Sequence, residues 1–185
     1  GQQFVILAAP TRSGKGVGIV IPNLLTYKGS MVVLDIKQEN FELTSGFRGA
    51  HGQAIYLFNP FAEDKRTHRW NPLTYVSNDP NFRVSDLMSI AQMLYPLSDN
   101  DQNKFFVSQA QNVFLALSLY AFEQYAEAQA STPDTAHLLK PTIGMIYRLG
   151  SGEGSDLKQH LSGMAQATFL SQSARTAFAG ILSQA

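Results

Sequence analysis

Residues 8–25, "AAPTRSGKGVGIVIPNLL", follow the apolar run "FVILAA" at 4–9, and this stretch decides how the first part of the chain is interpreted. A buried strand that ends in a turn of small residues and opens a helix directs backbone N–H groups and the positive helix end toward one point, where phosphate binds. The Walker A pattern places Gly at both ends of the loop, then Lys, then Ser or Thr. The corresponding residues are Ala9, Gly14, Lys15 and Gly16, so two of the four positions match. The order of strand, turn and helix nevertheless predicts a phosphate-binding loop.

The residues of this loop have distinct predicted roles. Lys15 is placed so that its ammonium group reaches the β and γ phosphates of a nucleotide. The cradle around the phosphates is formed by Thr11, Arg12, Ser13 and Gly14. Gly16 lacks the hydroxyl that normally binds Mg²⁺. At Ala9, a Cβ atom costs on the order of 1 kcal/mol if that position requires a positive φ.

A second group of polar residues lies in "VVLDIKQEN", at 32–40, where Asp35 stands at the carboxyl end of a predicted strand. Lys37 and Glu39 follow it. Apolar residues followed by Asp are typical of the Mg²⁺-ordering strand of ATPases, and an Asp about 20 residues after a glycine turn is typical of a ribose-binding acid. The alternative interpretation is that Asp35 caps the helix that follows.

Three short apolar runs, at 3–8, 30–36 and 53–58, have no polar alternation, which is typical of strands buried on both faces of a parallel sheet. Helical patterns separate them, including one at 14–26 that contains Pro22, where we expect a kink. The order strand, helix, strand, helix, strand predicts the opening of a doubly wound α/β parallel sheet.

The pattern changes after Phe58, where Pro, Asn and charged residues become frequent and the apolar residues follow neither the helical nor the strand period. From residue 83 onward every segment has helical spacing. The central helix is predicted at about 102–130, a third helix from Pro141 to about Leu149, and two more near 155–163 and 168–184. We therefore predict two domains: residues 1–80, which contain the phosphate loop, and residues 83–185, which are all helical.

Composition excludes several classes of protein. Fourteen Lys plus Arg balance fourteen Asp plus Glu, so no overall field attracts nucleic acid or an anionic membrane. There is no Cys, and the spacing of the four His residues predicts no metal site. The longest apolar stretch, 113–122, is about half the length needed to cross a bilayer. Because the chain opens on Gly1 inside a predicted strand, we expect a fragment, with any membrane segments outside it.

One local cluster mixes cations with an aromatic residue and could contact phosphates or bases. It consists of Lys65, Arg66, His68, Arg69 and Trp70. The alternative is a solvated edge in which Trp70 anchors the domain junction.

Together, "APTRSGKGVGIVIPNLL", "VVLDIKQENFELTSGFR" and "FNPF…THRWNPL" resemble type IV secretion coupling proteins of the TraG/VirD type. The resemblance implies a RecA-like, FtsK-like P-loop ATPase that uses ATP and Mg²⁺, with an all-α domain inserted after the first part of its sheet. It also implies a hexamer anchored at the bacterial inner membrane, facing the cytoplasm. In conjugation or effector recruitment, such a protein passes relaxase-bound DNA or effector proteins to the secretion channel.

The resemblance also assigns site residues. The nucleotide-binding positions are Thr11, Arg12, Ser13, Gly14, Lys15, Gly16 and Val17, with Lys15 as the catalytic one. Asp35, Lys37 and Glu39 match the family's Asp-x-Lys-Gly-Glu block, although Gln38 replaces its Gly. The family's later carboxylate motif and arginine finger would lie beyond Ala185, so we expect this chain alone to be inactive as an ATPase.

Two hypotheses of different class follow. In the first, the intact protein is a motor in which Lys15 and Mg²⁺ stabilise the charge on the transferred phosphoryl group. In the second, the chain acts as a helical substrate-binding module without ATPase activity. A small-molecule kinase with a helical lid would share the strand and loop, but it does not explain "RWNPL" or the central apolar helix.

Overall fold

The computed structural model describes residues 6–10, 12–97, 103–154 and 156–183. The chain divides into two compact units, Gly1–Trp70 and Asn71–Ala185. The first unit carries the predicted phosphate loop, and the second consists of helices around a core of its own.

The first unit contains a π-helical turn, Gly16–Val20, that continues directly into helix α1, Ile21–Thr26, and a second helix α2, Glu39–Ala50. Pro22 has no N–H group to donate to the carbonyl of Gly18. In the preceding turn, the N–H of Ile21 donates to the carbonyl of Gly16, five residues earlier. A π-helical turn thus directly precedes the α-helix that contains Pro22, and the kink expected at Pro22 stays a prediction.

The predicted parallel sheet is wrong, because the described residues contain no β-strand. Residues 6–8, 30–35 and 53–58 have no regular secondary structure, and residues 3–5 of the first predicted strand lie outside the described ranges. Most apolar side chains described for the three predicted strands are exposed, with Leu34 90% and Ile36 89% exposed, while Ile55 and Leu57 are partly buried. A strand forms only when neighbouring backbone satisfies its N–H and C=O groups. The apolar runs find no such ladder within the described part of the chain, so they remain irregular.

The second unit is built from helices joined by short connections. They are a 3₁₀ turn Pro72–Tyr75, α3 Pro80–Leu94, α4 Lys104–Ser131, α5 Pro133–Ala136, a 3₁₀ turn His137–Leu139, α6 Ile143–Gly150, a 3₁₀ turn Gly152–Gly154, α7 Leu157–Ala165 and α8 Gln172–Leu182. The helices predicted from spacing at 102–130, 155–163 and 168–184 are present as α4, α7 and α8.

Side-chain caps explain where several of these helices begin. The carboxylates of Asp79 and Asp156 accept hydrogen bonds from backbone N–H groups in the first turns of α3 and α7, each at 2.9 Å. The hydroxyls of Thr142 and Ser171 do the same for α6 and α8, at 3.1 and 3.2 Å. Pro80 occupies the first turn of α3, where its missing N–H costs nothing. Local sequence therefore determines these helix starts.

Helix α4 lies at the centre of the second unit and packs against α3, α6 and α8. Its buried side chains include Phe114 and Leu117, and they form one core with Leu87 of α3 and Phe178 of α8. Phe178 is fully buried. Burial of a side chain of this kind contributes about 1.5–3 kcal/mol, so α4 supplies the surface on which the unit assembles.

Helix α4 is also long and apolar enough to cross a membrane, by length and composition alone, with a mean hydropathy of 1.3 over its most apolar 18-residue window. Within the unit, 39% of that window is buried. One such helix is weak support for a membrane span, because the central helix of a soluble protein has the same length and composition.

Candidate nucleotide-binding site

The phosphate loop bends at two residues with left-handed backbone conformations, Arg12 with φ 63° and Gly14 with φ 81°. Ala9 is not among the described residues with positive φ, so the strain expected there does not arise. The cost falls on Arg12 instead, where a Cβ in this conformation costs about 1–2 kcal/mol. Thr11 lies outside the described residues. The loop is thus a tight bend that leads into the π-helical turn.

Lys15 folds its side chain back over this bend. Its ammonium group donates hydrogen bonds to the carbonyls of Ala9 and Pro10, the latter at 2.6 Å, and to the hydroxyl of Ser13 at 3.4 Å. These partners are neutral oxygens, and no carboxylate pairs with this ammonium in the described part of the chain. A phosphate group would offer the ammonium stronger, charge-assisted hydrogen bonds than these carbonyls do. The geometry therefore fits a phosphate-binding lysine.

The loop residues around Lys15 are open to solvent. Arg12, Ser13, Gly14 and Gly16 are exposed, and Val17 is 76% exposed. A Cβ atom built on Gly16 meets no described atom within 4 Å, so a Ser or Thr side chain would have space at this position. Room for a phosphate group and its solvation is therefore available at the loop.

Asp35 caps helix α2. One carboxylate oxygen accepts a hydrogen bond from the backbone N–H of Phe41 at 2.9 Å, and the other accepts from the side-chain amide of Asn40 at 3.2 Å. Of the two interpretations of Asp35, helix capping is the one for which the structure records contacts. Both oxygens keep free lone pairs, so a role beside bound nucleotide stays a prediction.

Lys37 and Glu39, the other residues of the second block, are exposed. Within the described ranges, no hydrogen bond or ion pair joins Lys15 to Asp35, Lys37 or Glu39, and no three His, Asp or Glu side chains come together as a metal site. Gln38 has φ 60° and ψ 9°, the left-handed conformation in which glycine is favoured. The glutamine therefore adopts the backbone geometry that suits the glycine of the family block.

Sequence reasoning missed Arg48, whose guanidinium is buried in the first unit. It donates to the carbonyls of Leu24 at 2.7 Å, Tyr27 at 3.0 Å and Gly29 at 3.0 Å. The side-chain amide of Gln53 donates to the carbonyl of Lys28 at 3.0 Å and so binds the same segment that follows α1. In the sequence, Arg48 is only a basic residue near the end of a helical pattern. Because such residues are mostly exposed, nothing in the sequence indicates that this guanidinium is buried.

The cationic cluster is partly engaged within its own unit. Arg66 forms an ion pair with Glu42, and its guanidinium carbon lies 5.7 Å from the centroid of the Phe41 ring. The ring of His68 accepts a hydrogen bond from the backbone N–H of Leu57 at 3.1 Å. The Arg66 pair is about half exposed, so it contributes no more than about 1 kcal/mol. Contact of this cluster with nucleic acid remains a prediction.

One family model matches this chain along its whole length, and curated relatives match most of it. The family model described as "Type IV secretory system Conjugative DNA transfer" matches residues 1–185. Protein VirD4 of Agrobacterium fabrum (strain C58 / ATCC 33970) is 36% identical over 158 residues, which cover 85% of this chain and 21% of that protein. Conjugal transfer protein TraG of Escherichia coli is 32% identical over 136 residues, 73% of this chain and 21% of that protein. The chain thus spans about a fifth of the length of these relatives.

Proposed function

The chain belongs to the type IV secretory system conjugative DNA transfer family, as a fragment of a type IV coupling protein, and on that premise we propose that the whole protein is a P-loop ATPase. In this proposal it recruits relaxase-bound DNA or effector proteins and uses ATP to deliver them to the secretion channel. The whole protein would act as a hexamer at the cytoplasmic face of the bacterial inner membrane.

The observation that carries the proposal is the position of Lys15. Its ammonium lies over a bend of exposed residues at the start of a helical segment, and its partners among the described residues are all neutral oxygens. Bound ATP would place its β and γ phosphates against this ammonium and the loop N–H groups. There Lys15 would stabilise the negative charge that develops on the transferred phosphoryl group.

Mg²⁺ would neutralise phosphate charge in the same site. Gly16 offers it no hydroxyl, so the ion would be held by phosphate oxygens, water and a carboxylate. Asp35 is the first candidate of the chain for that carboxylate, because its capping bonds hold both oxygens in a fixed orientation. Glu39 is the second candidate.

A matched pair of lysine substitutions tests the nucleotide site. In the whole protein, we expect Lys15→Ala to abolish MgATP binding measured by calorimetry, because no neighbouring ammonium has the same reach to the phosphates. The control is Lys28→Ala, because Lys28 is exposed and lies after the C-terminal end of α1. This substitution should leave the MgATP affinity unchanged. Equal affinity in wild type and Lys15→Ala would reject the nucleotide-site assignment.

The helical unit favours a second candidate function for this chain, that of a substrate-binding module. Residues 71–185 have their own apolar core and their own helix caps, which supports independent folding of this unit. If it recruits substrates, the isolated unit should bind a relaxosome protein or a secretion-signal segment without nucleotide. A folded unit that binds neither in an NMR titration, while the ATP-loaded whole protein does, would assign recruitment to the assembled motor.

Two acidic residues on α4, Glu123 and Glu127, are suitable first probes of such recruitment. Of these two, Glu127 can be replaced without loss of a side-chain hydrogen bond described in the structure. Glu127 is exposed, so Glu127→Lys changes surface charge alone. Glu123 instead accepts two hydrogen bonds from Ser171, and its reversal would disturb the start of α8. A loss of binding in Glu127→Lys with an unchanged unfolding temperature would locate the contact.

A further inference from the structure

Arg48 is the one charged side chain that is buried among the described residues, with 8% of its surface exposed. No carboxylate pairs with it in that part of the chain; its partners are three backbone carbonyls and the sulfur of Met31 at 3.6 Å. A buried cation without an anion is costly unless polar groups surround it. Here the carbonyls at the end of α1, where the helix dipole is negative, supply that compensation.

The carbonyl partners of Arg48 belong to one continuous stretch. Leu24 lies in the last turn of α1, and Tyr27 and Gly29 lie in the connection that leads on to Asp35. The guanidinium thus binds the far end of the helical segment that starts at the phosphate loop. Because that segment is helical from Gly16 to Thr26, its orientation is transmitted to the loop.

Helix α2 carries both this clamp and the cap formed by Asp35. Asp35 accepts from the N–H of Phe41 in the first turn of α2, and Arg48 lies in the last turn. Phe41 and Arg48 are seven residues apart, which is about 10 Å along a helix axis. One rigid helix therefore joins the carboxylate of the second block to the helical segment of the phosphate loop.

We propose that Arg48 is a positioning residue, which sets the orientation of the phosphate loop relative to Asp35 through its clamp on the end of α1. This inference rests on the proposed nucleotide site for its functional consequence, but its geometric part does not require nucleotide. A lysine at 48 keeps the charge and loses the planar fork that reaches three carbonyls at once. The loop would then no longer be held in one orientation.

The test compares Arg48→Lys with Arg175→Lys. Arg175 in α8 makes a similar clamp on the carbonyls of Ala167, Thr168 and Leu170, but in the other unit. We expect Arg48→Lys to shift the backbone amide resonances of Gly14 and Gly16 in the nucleotide-free 185-residue chain, whereas Arg175→Lys leaves them in place. Gly16 is eight residues from Leu24, about 12 Å along a helix, so a purely local disturbance at Leu24 would not reach it.

The second readout is MgATP affinity in the whole protein, where we expect Arg48→Lys to weaken binding about five- to tenfold and Arg175→Lys to have no effect. If wild type binds no MgATP, the proposed function fails, and the Gly14 and Gly16 resonances still decide the geometric inference. Unchanged resonances in a folded Arg48→Lys chain would overturn the inference.

Should Arg48→Lys unfold the first unit, the same comparison is made with Gln38→Gly added, which relieves a left-handed glutamine in that unit. Shifted Gly14 and Gly16 resonances in a folded double variant would support the proposal. Loss of structure in both backgrounds would overturn it, because Arg48 would then be required for the fold of the unit and not for the orientation of the loop.

Discussion

Replacement of Glu123 by Gln tests how the last helix of the second unit is held. The two carboxylate oxygens of Glu123, on α4, accept hydrogen bonds from the backbone N–H and the hydroxyl of Ser171, both at 2.6 Å. Ser171 is the N-cap of α8, and its hydroxyl accepts from the N–H of Ala174. A glutamine keeps one acceptor oxygen, presents an NH₂ group to the other donor, and removes the negative charge near the start of α8.

The magnitude follows from these two losses. A hydrogen bond to a charged group contributes about 1.5–3 kcal/mol, and a negative charge at a helix N-terminus contributes about 0.3–1 kcal/mol. Because Glu123 is partly exposed, solvent screens both contributions and the lower end applies. We therefore expect Glu123→Gln to lower the free energy of unfolding by about 1.5 kcal/mol, which corresponds to a decrease of about 4–6 °C in Tm.

The assay is thermal unfolding followed by circular dichroism, with Glu127→Gln as the control. Glu127 lies four residues further along the same helix, it is exposed, and its carboxylate has no recorded partner in the described part of the chain. Its substitution should change stability by less than about 0.5 kcal/mol. Amide hydrogen exchange in α8 should accelerate in Glu123→Gln alone. Equal Tm values for the two variants would refute the reasoning that Glu123 anchors α8.

Three further predictions concern the backbone, the core and the chemistry. Gln38→Gly should stabilise the first unit by about 0.5–1 kcal/mol in denaturant unfolding, because glycine adopts the left-handed conformation without a Cβ penalty; an equal or lower midpoint would contradict this. Ser118→Ala should raise the free energy of unfolding of the second unit by about 1 kcal/mol, and with it the Tm, because the fully buried hydroxyl has no hydrogen-bond partner among the described residues. The control is Ser89→Ala, whose hydroxyl donates to the Ser85 carbonyl at 2.9 Å; the same gain in both would point to helix propensity alone. The 185-residue chain should hydrolyse ATP negligibly in a phosphate-release assay, because no carboxylate of the described residues is paired with Lys15 to position a water beside the phosphates. Turnover of about one per second or faster that is lost in Lys15→Ala would instead make Asp35 or Glu39 the catalytic carboxylate.

Much of the second unit could be predicted from the sequence, because its determinants are local. The spacing of apolar residues in α4 marks it as the central helix, and Asp79, Thr142, Asp156 and Ser171 stand where helix caps are expected. A helix satisfies its backbone hydrogen bonds within its own segment, so a short window of sequence contains most of the information.

The sequence predicts where a phosphate loop lies, but it does not predict how the backbone bends there. The order of small residues, Lys15 and a helical pattern is present in the amino-acid sequence. Among the described loop residues, Arg12 and Gly14 adopt positive φ, whereas the Walker A pattern points to Ala9. The structure also records Asp35 as a helix cap, which the sequence left as one of two interpretations. Backbone dihedrals depend on how the chain closes on itself, which residue types only bias.

The sequence by itself determined the family and the helical pattern of the second unit, while tertiary structure decided which distant residues contact each other. The apolar run that contains Leu34 reads as a buried strand, yet it lies exposed, because a strand needs partners that its own sequence does not specify. Arg48 and Leu24 are 24 residues apart, and Glu123 and Ser171 are 48 apart. Such contacts depend on how elements distant in the chain pack together, and no local pattern encodes that packing.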